Sequence, residues 1–515
     1  MKVLLGYIIK RRSLFESIGI FLTLFIFSRY CIYKYFNIPY LLDDAPTYVM
    51  VVDYFLGNST LSSSARPPGY PILLLFSYLI SSDVRTVMLV QSTLSIAAGI
   101  LFITTIYKTY RRLVKFAAIA VLIYMTDLVY VHHETAILSE TLFSNLLIVY
   151  SAFLLLAIKR DKLVFWCGSG ASVAILVMVK PIGAVLYVHA LIVFIFLIYT
   201  KKFSKKTVAF ALSLSILFLS HLIYNRVTAG EASVKEYQTK KFLTFVHPVF
   251  AFIEKQDEYP DKINDLVEKY RDKTPPGVRT ALQTSWNPRI VSWAALSNEH
   301  NYEDFIKDYD KLNGSFPLLN IVLPTLKAQP EVYLRWVYSM FIHYFDILSP
   351  SQRRTYKFLN EYETSFPPRV VDYLTREMNK DGAFYTFNSP RITNDDVQSN
   401  IQNAFGDWMY TMTQSFYKSR QAIFQNVLWV IVYVVALVFS VVMFVNHGFQ
   451  DRDNFAFLLI LTLPMLFSLA YSMVHTTNIR YAYPLTFVYY LAPIFLYLIY
   501  TKRKNGRSNE VIKID

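Results

Sequence analysis

The sequence predicts a mainly α-helical, polytopic membrane bundle of about ten transmembrane helices, with a large extracytoplasmic segment inserted before the last three. Three observations carry this prediction. Hydrophobic residues make up 54% of the 515-residue chain and the mean hydropathy is +0.32, too apolar for an ordinary globular protein. Several apolar runs reach about 20 residues, the length that crosses a hydrocarbon core of roughly 30 Å. Short connections rich in Lys and Arg recur between the runs, as expected of loops kept on the cytoplasmic side.

In chain order, Lys10, Arg11 and Arg12 precede an apolar run over 14–36. It is too long for a signal peptide's apolar core and lacks a small-residue cleavage site, so it reads as a retained signal anchor. Further runs lie near 84–107, 114–133, 138–158, 163–179, 182–199 and 206–224, and three more near 421–446, 454–474 and 482–500. Threading them from a cytoplasmic N-terminus places the connections 108–115, 159–162, 201–206, 447–453 and the tail from Lys502 inside. The first three and the tail are strongly basic, and the fourth is neutral. The net charge of +14 is thereby explained by membrane anchoring, and no nucleic-acid partner is expected. Cys31 and Cys167 both fall in apolar runs, so no disulfide framework is expected.

The apolar stretch Gly69–Ile80 is too short to span and opens after Pro67-Pro68; it is expected to lie in or beside the outer interface. Three regions follow from this threading: an N-terminal transmembrane module over 1–225 whose first external loop is 37–83, an extracytoplasmic soluble or interfacial domain over 226–420, and C-terminal transmembrane helices with a basic tail over 421–515. The middle region has enough aromatic and aliphatic residues for a core of its own. Helices are expected over Asp261–Lys273, with Asp261 as N-cap and Pro275-Pro276-Gly277 as the stop, and over Tyr302–Leu312. In Glu331–Leu348, residues Tyr333, Val337, Met340, Phe341, Tyr344 and Leu348 share one helical face. That face suits either the outer leaflet or the domain's own core.

Charged and polar groups collect at the external ends of the helices rather than at their middles, with His189 and Asp127 the deeper exceptions. They include Asp43, Asp44, Asp53, Arg66, His132, His133, Glu134, Glu140, Lys180, His475 and Arg480. Carboxylates beside cations on one membrane face can receive a polar substrate carrying a phosphate. Asp44 is either the N-cap of a helix with Pro46 in its first turn, or, with Asp43, a general base for an acceptor hydroxyl. Arg66, before the rigid Pro67-Pro68, either snorkels or clamps a phosphate. Glu140 complements the N-terminus of its helix. Lys180 and Arg480 either anchor their spans or offset charge on a departing phosphate. Three adjacent residues such as His132-His133-Glu134 cannot all face one metal ion on a regular helix.

Taken in this order, the motifs resemble the GT-C superfamily of membrane glycosyltransferases, in particular the branch of protein O-mannosyltransferases and lipid A aminoarabinose transferases. The acidic pair followed by a Tyr is matched by Asp43-Asp44 and Tyr48, and the Pro-Pro element by Arg66-Pro67-Pro68-Gly69-Tyr70-Pro71. Ser139-Glu140-Thr141, Lys180-Pro181, Pro330-Glu331-Val332-Tyr333-Leu334, and Arg480-Tyr481 with Pro484 match later elements. The resemblance covers about residues 1–225 and 421–500. Many relatives have His before Pro-Pro and Glu as the second acid, so Arg66 and Asp44 depart from the pattern, and either Asp43 or Asp44 serves as base.

The resemblance implies inverting transfer of a monosaccharide from a polyprenyl-phosphate donor to a glycan, lipid or protein acceptor. Asp44 or Asp43 would deprotonate the acceptor hydroxyl, and Arg66, Lys180 or Arg480 would stabilise the leaving phosphate. Tyr48, His133, Glu140 and His475 would bind substrate. No metal is obligatory in that branch, although other GT-C branches use a divalent cation. An integral multi-pass protein of the bacterial inner membrane is expected, with its site facing the periplasm or exterior and with membrane lipids as partners. Three rivals remain: an O-antigen-type polymerase or ligase, a lipid or polysaccharide transporter with a polar path around His189 and Asp127, and a non-catalytic assembly protein suggested only by the large external segment.

Overall fold

A membrane-length apolar segment can satisfy its backbone only within itself, which is why such runs become helices. The computed structural model describes residues 11–33, 45–57, 66–201, 204–228, 251–287, parts of 290–346, 427–474 and 483–511. Among these it is mainly helical, with no strand. The chain divides into two compact units, one of residues 1–228, 352–464 and 483–515, the other of residues 229–351 and 465–482.

The first unit opens with α1 (Arg12–Tyr33), α2 (Ala45–Phe55), α3 (Gly69–Ile80), α4 (Arg85–Thr109), α5 (Val114–Met125) and α6 (Leu128–Glu134). It continues with α7 (Glu140–Arg160), α8 (Leu163–Val179), α9 (Leu186–Lys201) and α10 (Lys205–Thr228). Helix α8 packs against α7 and α10, α4 against α7, and α1 against α4 and α5. One close approach depends on glycine: a Cβ on Gly170 would stand 2.5 Å from the Phe210 carbonyl oxygen of α10.

The run expected as a single span over 114–133 is broken. Thr126 Oγ1 donates back to the Leu122 carbonyl at 2.7 Å, and the chain turns at Asp127 before α6 begins. Such a back-bonded hydroxyl weakens the helix slightly, and the break falls beside it. Among the described residues, six helices are long and apolar enough to cross a membrane: Arg12–Tyr30, Arg85–Thr109, Glu140–Arg160, Ile182–Thr200, Val430–Gln450 and Arg452–Ala470. The expected total of about ten counts in addition the shorter apolar helices Leu163–Val179 and Thr486–Thr501 and the runs 114–133 and 206–224.

The second unit has its own cores. In α11 (Asp261–Lys273), Ile263, Leu266, Val267 and Tyr270 form a buried stripe against Phe305, Tyr309, Ile321 and Val322. Asp261 proves to be the first helical residue, not the cap; Pro260 stands at the capping position, and the Asp261 carboxylate sits in the first turn. Helix α12 (Pro276–Thr284), then α13 (Leu318–Ala328) and α14 (Pro330–Asp346) follow. Val332, Trp336 and Met340 of α14 are buried with Val278, Leu282, Val291 and Ala294, and Tyr333 and Val337 pack beside them. This helix therefore packs on the domain's own core, the second of the two expectations. Leu348 and the rest of 347–426 lie outside the described residues.

Toward the C-terminus come α15 (Val427–His447), α16 (Arg452–Val474) and α17 (Thr486–Val511), of which α15, α17 and α16 up to Pro464 belong to the first unit. Helix α17 packs on α15 and α5. Asn454 Nδ2 of α16 donates to the Ser440 carbonyl at 2.9 Å, and Tyr433 Oη to the Leu461 carbonyl at 2.8 Å.

The polar links of this unit gather at two ends. At one, Lys115 pairs with Glu16 at 2.9 Å, Lys206 with Asp161 at 2.8 Å, and Asp453 with Lys159 and, at 2.9 Å, with the Tyr110 hydroxyl. Four connections that the threading assigns to the cytoplasm, 108–115, 159–162, 201–206 and 447–453, contribute to this end. The other end carries the candidate site.

Candidate active site

In α2, Ala45, Tyr48, Val52 and Leu56 recur every three or four residues, so they share a face. That face packs against Tyr70, Leu73 and Leu74 of α3, Val84, Val87 and Ile137. Packing alone thus brings α2 onto the Pro-Pro element and onto the turn before α7. Tyr48 Oη and Ser139 Oγ lie 2.9 Å apart, and the Tyr48 and Tyr70 rings meet edge to face at 4.9 Å.

Arg66 is half-buried. Its Nε donates to Thr47 Oγ1 at 3.0 Å, its guanidinium lies 5.6 Å from the Tyr48 ring centre, and its carbonyl accepts from Tyr224 Oη at 2.9 Å. Pro67 and Pro68, both buried, lead into α3. Gly69 then touches the end of α8 so closely that a Cβ would stand 2.8 Å from the Met178 carbonyl oxygen. Two residues beyond Met178 the chain leaves α8 in extended conformation at Lys180, which points its ammonium at Glu140. Lys180 Nζ and Glu140 Oε1 are 2.8 Å apart, with side chains only 8% and 2% exposed. Glu140 occupies the first turn of α7, where the helix dipole adds to its stabilisation as an anion.

Of the residues expected at the site, Tyr48, Arg66, Glu140 and Lys180 are therefore brought together by four segments. His133 lies in α6 and is buried. Asp43, Asp44, His475 and Arg480 lie outside the described residues. Among the described residues no three His, Cys, Asp or Glu side chains come together as metal ligands.

Sequence reasoning missed a second buried ion pair. Arg29 of α1 binds Glu134 of α6 through Nε to Oε1 at 2.6 Å and Nη2 to Oε2 at 2.9 Å, and Nη2 also donates to the Met125 carbonyl at 2.7 Å. Tyr33 Oη and Ser95 Oγ donate to the same carboxylate at 3.0 and 2.9 Å, Ser92 Oγ adds a third hydroxyl, and Gln91 Nε2 reaches the Glu134 and Ala136 carbonyls. A buried carboxylate accepting this many bonds is satisfied structure. It fixes the end of α6 and so the short turn that presents Ser139 and Glu140. The available signal was Arg29 itself, a cation inside a membrane-length apolar run.

Asp53, expected only as one of the polar groups at the external helix ends, is buried. It is 8% exposed, and its Oδ1 has no hydrogen-bond partner. Burial pushes its carboxyl above the usual range. His189 is a satisfied core residue, held by Tyr150 Oη at Nδ1 (2.6 Å) and the Leu459 carbonyl at Nε2 (2.7 Å).

Residues 65–224 match the family model of dolichyl-phosphate-mannose-protein mannosyltransferases, a family of the GT-C superfamily. This stretch is similar to a GT-C glycosyltransferase module. The match spans less than a third of the 515 residues and runs from the Pro-Pro element to the end of α10, taking in Arg66, Glu140 and Lys180. The resemblance read from the motifs is borne out, and with the apolar helices it supports a multi-pass membrane glycosyltransferase of the GT-C type. No curated protein and no solved structure gives a significant match. The matched stretch thus contains the phosphate-binding candidates Arg66 and Lys180, while the candidate acids Asp43 and Asp44 precede it.

Proposed function

We propose that the protein is an inverting glycosyltransferase that moves a monosaccharide from a polyprenyl-phosphate donor to a cell-envelope glycan, lipid or protein acceptor on the extracytoplasmic face. The observation that carries this reading is the convergence of Arg66 and the buried Lys180–Glu140 pair with the helix that follows Asp43-Asp44. The donor delivers a phosphate at the membrane boundary, and two cations on proline-fixed or buried segments suit it. Asp44, or Asp43, takes the proton from the acceptor hydroxyl as that oxygen attacks the anomeric carbon; the bond from that carbon to the phosphate oxygen breaks, and both electrons leave with the phosphate. Arg66, Lys180 and Arg480 offset the charge that develops there. Glu140 orients Lys180. Tyr48 holds the first loop against the turn carrying Ser139, and His133 and His475 belong to the substrate shell. No metal is required in this scheme, because the cations are supplied by the chain.

Transfer from a synthetic polyprenyl-phosphate monosaccharide by the purified protein in proteoliposomes tests the reading. Asn at the catalytic acid, Asp44 or Asp43, should lower kcat by about 10²–10⁴-fold, and Lys180→Ala by about 10²–10³-fold. Transfer should persist in the presence of a chelator. No turnover of this donor, with turnover of a pyrophosphate-linked glycan, would sink the proposal in favour of a polymerase or ligase. Activity surviving Asp43→Asn combined with Asp44→Asn would leave the first loop without a catalytic role.

A further inference from the structure

Helix α14 has two apolar faces. Val332, Trp336 and Met340 form the face buried in the core of the second unit. On the opposite side Leu334, Tyr338 and Ile342 follow one another at every fourth residue and are 61%, 49% and 39% exposed. Trp286, 53% exposed, widens this row. Its ring meets that of Tyr338 edge to face at 5.4 Å, and the Arg335 guanidinium backs it at 5.1 Å from the ring centre. Arg335 also reaches the Glu331 carboxylate at 3.3 Å. Single exposed apolar residues need no explanation, whereas a row joined by ring contacts marks an interaction surface.

What covers the row follows from where the unit is tied. Residues 465–474, the last turns of α16, belong to the second unit, and α16 is long and apolar enough to cross a membrane over Arg452–Ala470. The second unit therefore includes the point where a span leaves the bilayer, so a lipid surface borders it. The 447–453 connection before α16 is cytoplasmic in the threading, which puts that exit in the outer leaflet.

The residue types agree. Trp and Tyr favour the headgroup level, where the ring is buried while its N–H or O–H stays wet. Leu334 and Ile342 gain from the acyl boundary just beneath. A glycan could stack on Trp286 and Tyr338 but would leave those two aliphatic side chains in water. We propose that Leu334, Tyr338, Ile342 and Trp286 dock the second unit onto the phospholipid surface of the outer leaflet. The core face of α14 then holds the unit together while its outer face rests on lipid.

The test uses the full-length protein with Cys31 and Cys167 replaced by Ala, at one copy per lipid nanodisc. A fluorophore is attached at Tyr338→Cys, and in a second sample at Lys307→Cys, an exposed polar position of the same unit. A docked side chain sits about 5–10 Å into the headgroup and acyl boundary. Phospholipid with a nitroxide near the top of its acyl chain should therefore quench the 338 probe several-fold more than the 307 probe, and aqueous iodide should do the reverse. Leu334→Glu combined with Ile342→Glu should return the 338 probe to the aqueous pattern. Equal lipid quenching at the two positions, or lipid quenching that survives the double substitution, overturns the proposal. A 338 probe shielded from iodide yet untouched by the lipid nitroxide means that protein covers the row. Shielding that appears only with two copies per disc means that a second copy does, and either result overturns it as well.

Discussion

Glu134 and Asp53 show how differently two buried carboxylates fare. Glu134 is fully enclosed and takes Arg29, Tyr33, Ser92 and Ser95, so its charge is compensated. Arg29→Met removes the cation and leaves the acid, which should cost about 3–5 kcal/mol and show as a lowered Tm and poor yield. Arg29→Met with Glu134→Leu should recover much of that loss, since no uncompensated charge remains. Strictly additive losses would disprove the coupling. Asp53 has no such partners, and burial raises its carboxyl above the ordinary value near 3.9. A raised folded-state value means that Asp53 favours the fold in acid and that this contribution is lost as pH climbs through it. Asp53→Asn should therefore raise Tm between pH 7 and 8 and change it little below about pH 4. An equal gain at every pH would contradict burial of the charged form as the cause.

At the scale of elements, the site depends on how closely α3 approaches α8. Gly69 permits it, since a Cβ would stand 2.8 Å from the Met178 carbonyl oxygen and from Val179 Cγ2. Neither atom can yield as a flexible side chain end would, so α3 must move. Arg66 precedes Gly69, and Lys180 follows Val179, so the shift separates the two cations. Gly69→Ala should lower transfer by about tenfold or more, as misplacement of a site by an ångström does, with a fall in Tm. Gly277→Ala, where a Cβ would meet nothing within 4 Å, is the matched control and should leave transfer unchanged without lowering Tm. Hydropathy marks α3 as short and apolar, and its observed bounds, Gly69–Ile80, are those expected. The break at Thr126 and Asp127 was not legible, because the run through it remains apolar.

For the whole molecule, the threading predicts which end faces which compartment. Asp83 lies between α3 and α4 on the site's side, and Lys162 lies between α7 and α8 at the opposite end. In a background with Cys31 and Cys167 replaced by Ala, Asp83→Cys should react with a membrane-impermeant maleimide on intact cells. Lys162→Cys should react only after permeabilisation. The reverse pattern would invert the orientation and move the transfer site to the cytoplasm.

Much of this architecture was legible because hydropathy, charge bias and helical periodicity are local properties. They place α1, α4, α7, α8, α15 and α16 in the chain, and they group Glu140, Lys180 and Arg66 on one side. What they cannot contain is which charges meet. Arg29 and Glu134 are 105 residues apart and Lys180 and Glu140 are 40 apart, so nothing in a local window links them. The same holds for Trp286 and Tyr338, whose rings meet although they come from distant segments. The sequence by itself determined most of the helices, an expected sidedness and a list of chemically apt residues. Only the tertiary structure decided that Glu134 is a structural keystone while Glu140 holds Lys180, since partners across a fold are chosen by packing rather than by spacing along the chain.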